Sequence, residues 1–111
     1  MSEKPSNFTA SIPTRSLTTI IESLHKKKDY GKSLLPLFSE DTSYKLIELN
    51  VILWDDFNTE YLQDAFKPTE NEYAYHYTYQ NKPRGEGMQN LYNFLWNRLS
   101  RLEKIIGDLE K

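Results

Sequence analysis

The chain has 111 residues, of which 38% are apolar and 14% aromatic, with a formal charge of -2 and no cysteine. That length supports one core and no second domain, and the aromatic content argues for a folded body rather than a disordered chain. The absence of cysteine excludes disulfides, thiolate metal sites and a cysteine nucleophile, and two histidines supply too few ligands for a usual zinc site.

No run approaches the ~20 apolar residues that span a bilayer, and the start Met1-Ser2-Glu3-Lys4-Pro5 lacks the apolar stretch of a secretory signal. A cytoplasmic protein is therefore expected, with no membrane partner. The small net charge hides a segregation. Residues 38–72 hold nine acids against Lys45 and Lys67, a local charge of -7, while residues 1–37 carry +3 and residues 73–111 carry +2. Such charge blocks are usually solvated faces, and here they also mark a surface on which a partner could dock.

Residues 1–13, rich in Ser, Thr, Pro and Asn, read as a flexible tail ahead of a single globular domain over 14–111. Leu17, Ile20, Ile21 and Leu24 then recur at helical spacing. Thr14 or Ser16 supplies a capping hydroxyl, and the basic run Lys26-Lys27-Lys28 before Gly31 marks the end, so a helix is expected over about 15–29. Leu34, Leu35, Leu37 and Phe38, interrupted by Pro36, read as a connector packed onto the core.

From Asp41 to Phe66 neither Gly nor Pro intervenes. Leu46, Leu49, Leu53 and Phe57 keep helical spacing, with Ile47, Val51 and Trp54 widening the apolar face, and Tyr61, Leu62, Ala65 and Phe66 continue it. One helix over 41–66 is expected, or two divided at Asn58-Thr59. The β-branched run within 45–54 would also suit a buried strand.

Four tyrosines alternate from Tyr73 to Tyr79. A strand would place all four phenols on one face as a stacking platform; a helix would split them into Tyr73 with Tyr77 and Tyr75 with Tyr79. Pro68-Thr69-Glu70-Asn71-Glu72, with Thr69 and Glu72 at capping-box spacing, favours the helix, expected over 70–80. After the loop Asn81 to Gly87, Tyr92, Leu95, Leu99, Leu102, Ile106 and Leu109 form a heptad seam and predict a long last helix over 87–110. The fold class expected is mainly α, a compact domain of four or five helices. The alternative is α+β, with strands from 45–54 and 73–80.

The chemistry of these residues is sparse. Arg84-Gly85-Glu86-Gly87 could cradle an anion at a helix start, yet it matches no phosphate-loop fingerprint and reads as a turn. Asp56, Glu60 and Asp64 at successive four-residue intervals line one face without converging as a metal site would, and Glu72 with His76 lacks a third catalytic partner. No cofactor, metal or enzymatic activity is expected.

By elimination the sequence favours a non-enzymatic protein-protein interaction module, an adaptor or regulator with an unidentified protein partner. Its acidic face would be Asp55, Asp56, Glu60 and Asp64, and a homodimer would form through Leu95, Leu99, Leu102 and Ile106. One rival is single-stranded nucleic-acid binding through an aromatic-basic face of Tyr75, Tyr77, Tyr79, Lys82 and Arg84, where each stacked base contributes ~1–3 kcal/mol. The acidic total speaks against it. A second rival is an acidic inhibitor that mimics nucleic acid.

Overall fold

Among the described residues, four helices, a 3-10 turn and one short two-stranded pairing account for the architecture, and two of the helices begin at a side-chain cap. The computed structural model describes residues 11–79 and 86–111. It is mainly α, as the periodicity predicts.

The Ser16 hydroxyl accepts the Thr19 amide at 3.1 Å and starts α1, Leu17–Ser33. The helix runs past Gly31 rather than stopping before it. A Cβ on Gly31 would lie 2.4 Å from Trp54 Cζ2 and 2.9 Å from Leu99 Cδ2. This glycine therefore allows three helices to approach, and does not terminate one. A 3-10 turn over Leu35–Ser39, with Pro36 at its start, reverses the chain.

The next helix, α2, is unbroken over Tyr44–Ala65. No division occurs at Asn58-Thr59, because both polar side chains find partners without disturbing the helix. Buried Asn58 donates Nδ2 to the Tyr77 hydroxyl at 3.0 Å, and Thr59 Oγ1 donates to the Asp55 carbonyl at 3.1 Å.

Beyond α2 the chain extends into β2, Phe66–Lys67, which pairs antiparallel with β1, Ile12–Pro13. Thr14 adds its amide to the Ala65 carbonyl and its hydroxyl to the Asp64 carbonyl, each at 2.8 Å, so the last turn of α2 is capped from the other end of the chain. Ile12 and Pro13 thus belong to the fold and not to a tail; residues 1–10 lie outside the described residues.

Asn71, not a Thr69–Glu72 box, opens α3, Glu72–Thr78. Its Oδ1 accepts the Ala74 amide at 2.9 Å while Nδ2 donates to the Leu62 carbonyl at 2.8 Å, so one buried side chain both caps α3 and ties it to α2. Residues 45–54 and 73–78 are helical, which excludes the strand alternative for both.

Gly87, at φ 97°, precedes α4, Met88–Leu109. The inward side of α4 carries Leu91, Leu95, Leu99, Leu102, Ile105 and Ile106, packed chiefly along α1 and also against α2 and α3. Each fully buried leucine or isoleucine there contributes ~1.5–3 kcal/mol relative to exposure.

Candidate functional site

Two apolar stripes run along α2, and only one of them is covered. Ile47, Val51, Trp54, Asn58, Leu62 and Ala65 face the core. The other stripe, which the spacing rule alone would also turn inward, stands in solvent: Leu46 is 52% exposed, Leu49 53%, Leu53 45% and Phe57 59%. Single exposed leucines are ordinary on a protein surface, but four large apolar side chains on consecutive turns of one helix make a contiguous patch.

The reason lies in what each stripe becomes further on. At 100° per residue the inward stripe continues into Leu62 and Ala65, whereas the outward one runs into Glu60 and Asp64. Carboxylates at the end of that row would lose their hydration on burial, so the row faces water along its whole length. This change of character was the signal in the sequence that a four-residue window missed.

Beside the stripe, α1 and α2 enclose an open cleft of about 420 Å³. Trp54 forms its floor and donates Nε1–H to the Lys27 carbonyl at 2.7 Å. Leu53 and Phe57 wall it on the α2 side, and Lys26, Lys27 and the half-exposed Tyr30 rim it on the α1 side. Lys27 Nζ sits 4.8 Å from the centre of the Tyr61 ring, and burial lowers its pKa. The cleft therefore joins an apolar wall to a cationic edge, next to a helix face that is itself apolar.

The expected acidic face is divided. Asp55 does not belong to it, because its carboxylate turns into the protein, accepting from Arg98 Nε at 3.0 Å and from the Tyr77 hydroxyl at 2.6 Å. Asp56 is exposed on the flank of the apolar stripe, and exposed Glu60 continues its row. Asp64 is exposed too and meets Arg15 at 3.1 Å, a contact that raises the Arg15 pKa.

The aromatic-basic face is divided in the same way. Tyr75 and Tyr79 do come together, with ring centres 5.2 Å apart, but Tyr77 is wholly buried and cannot stack on a ligand. Burial, with Asp55 beside it, pushes the Tyr77 hydroxyl above the ordinary phenol range. Lys82 and Arg84 lie outside the described residues. Arg101, which sequence reasoning passed over, closes the end of α3 by donating to the carbonyls of Tyr77 at 2.9 Å and Tyr79 at 2.7 Å.

The self-association seam is not available at the surface. Leu95, Leu99, Leu102 and Ile106 are at most 3% exposed and are packed in the chain's own core. A heptad seam has the same spacing whether its partner helix belongs to another chain or to the same one, and here α1 is that partner.

Among the described residues no group of three His, Asp or Glu is placed to hold a metal ion, and no helix is long and apolar enough to cross a membrane. Comparison of the chain with protein-family models, curated proteins and solved structures finds no match.

Proposed function

We propose that the chain is a non-enzymatic protein-interaction module whose docking surface is the outward face of α2 with the α1–α2 cleft. One observation carries this reading: Leu46, Leu49, Leu53 and Phe57 form a continuous exposed row on a helix whose other face already fills the core. Leaving such a row in water forgoes ~25 cal/mol for each Å² of apolar surface that a partner could cover. Asp56 on one flank, Glu60 at the end of the row, and Lys26 and Lys27 on the other flank give the face a direction, which sets partner orientation and encounter rate more than affinity. The acidic character read in the sequence serves here as a rim, with the apolar row at its centre.

A photo-crosslinking residue in place of Phe57, expressed in cells, tests the proposal against the same residue in place of Trp96, an exposed aromatic on α4. The expected result is an adduct of discrete mass from position 57, absent from position 96 and lost when Leu49→Glu is added. No adduct at position 57, or one indifferent to Leu49→Glu, overturns the docking face.

A further inference from the structure

Resting on that docking face, we infer that its occupant is a second copy of this chain, with the two α2 helices packed antiparallel about a twofold axis level with Val51. Two features of α2 support this arrangement.

The apolar row nearly reads the same in both directions. Leu46, Leu49, Leu53 and Phe57 are spaced by three, four and four residues. When Leu49 is set opposite Leu53 of an antiparallel copy, Leu46 falls opposite Phe57 to within one residue. All four exposed side chains on each copy are then covered by the same four on the other, as a closed isologous interface requires. A parallel pair would set Phe57 against Phe57 and bring the acids of both C-terminal halves to the same level.

The flanking charges fit the same register. Lys45 and Asp56 are eleven residues apart, which places them within about 20° of each other around the helix. They therefore lie on one flank, and in an antiparallel pair a flank meets its own counterpart. The register that covers the apolar row brings Lys45 to within one residue of the level of Asp56 in the second copy, twice by symmetry. Both side chains are exposed, and among the described residues neither makes an ion pair within its own chain.

Sedimentation equilibrium of the full chain at high micromolar concentration, in low and high salt, tests the inference. The substituted positions are all exposed, and circular dichroism confirms that each variant remains folded. Wild type should be a dimer that weakens with salt, and Leu53→Glu should be a monomer. Asp56→Lys should weaken the dimer about tenfold, because two exposed attractive pairs become repulsive, and adding Lys45→Asp should restore it.

A monomeric wild type overturns the inference, and so does a dimer unaffected by Leu53→Glu. Loss of the dimer in Leu53→Glu, together with an Asp56→Lys defect that Lys45→Asp does not rescue, overturns the antiparallel register. The docking face is judged separately by the crosslink at position 57: an adduct with the mass of two chains agrees with a second copy. An adduct of another mass assigns the face to a different protein and overturns the inference while sparing the docking reading.

Discussion

Replacing Arg98 by methionine should destabilise the fold more than any substitution on the exposed row of α2. The guanidinium is almost completely enclosed, with its side chain 3% exposed and its Nε 3.0 Å from Asp55 Oδ1, and Asp55 is itself only 16% exposed. Arg98 also lies over the Phe94 ring at 4.6 Å and the Tyr77 ring at 5.3 Å, so its stem and plane fill space as well as balance charge.

Methionine replaces much of the packing but leaves the Asp55 carboxylate with the Tyr77 hydroxyl and no cation. Breaking one side of a buried pair costs ~3–5 kcal/mol, and the residual exposure of Asp55 places the expectation near the lower bound, about 3 kcal/mol. For a domain of this size that corresponds to a fall in Tm of ~12–20 °C. Asp55→Asn alone should lose about 2 kcal/mol, because Arg98 keeps its hydrogen bond to Asn97 but loses its counter-ion.

The double variant should lose far less than the two losses added, since neither charge is then orphaned. Urea unfolding of the four proteins gives the coupling free energy, expected at about 2 kcal/mol. A loss below about 1 kcal/mol for Arg98→Met, or additivity across the cycle, would refute the view that this pair holds α2, α3 and α4 together.

Gly31 and Gly107 should respond in opposite senses to alanine. At Gly31 the new methyl would enter Trp54 and Leu99, costing ~1–3 kcal/mol and altering Trp54 fluorescence, whereas Gly107 has open space around it inside α4 and should gain up to ~1 kcal/mol; thermal melts of the two variants check the contrast. Asn71→Ala should cost ~1–2 kcal/mol for the α3 cap, with further loss because the Leu62 carbonyl is left without its donor, read by urea unfolding and by faster amide exchange in α3. The folded chain keeps the Tyr77 proton after an unfolded chain would have released it, so this contribution to stability is complete below about pH 10 and declines as pH rises beyond that value. Phenolate absorbance should therefore show a late step that appears only as the helices unfold, and Tyr77→Phe should remove it; identical titration curves for wild type and Tyr77→Phe would contradict it.

The last helix was legible from its seam because Leu95, Leu99, Leu102 and Ile106 repeat without interruption, but spacing could not say that the seam faces the chain's own α1. In α2 the difficulty was sharper. The rows beginning at Leu46 and Ile47 both have helical period, and the row that goes inward contains Asn58, a polar residue whose partner, Tyr77, lies 19 positions further on. Burial of that row depends on a long-range hydrogen bond that no local window contains. Alternation of Tyr73 to Tyr79 suggested a strand, yet Asn71 caps the segment and Ala74 with Tyr77, three residues apart, supply the helical inward face. The pairing of Ile12–Pro13 with Phe66–Lys67 involves two residues on each side and leaves no pattern in the sequence.

Oxidative footprinting by hydroxyl radicals, performed on dilute purified protein and on the protein inside cells, tests the central claim most directly. Leu46, Leu49, Leu53 and Phe57 should label readily in the dilute sample and be protected in cells, while Tyr79 and Trp96, exposed elsewhere, label alike in both. Equal labelling of the α2 row in the two settings would mean that nothing covers it, and would contradict its role as a docking face.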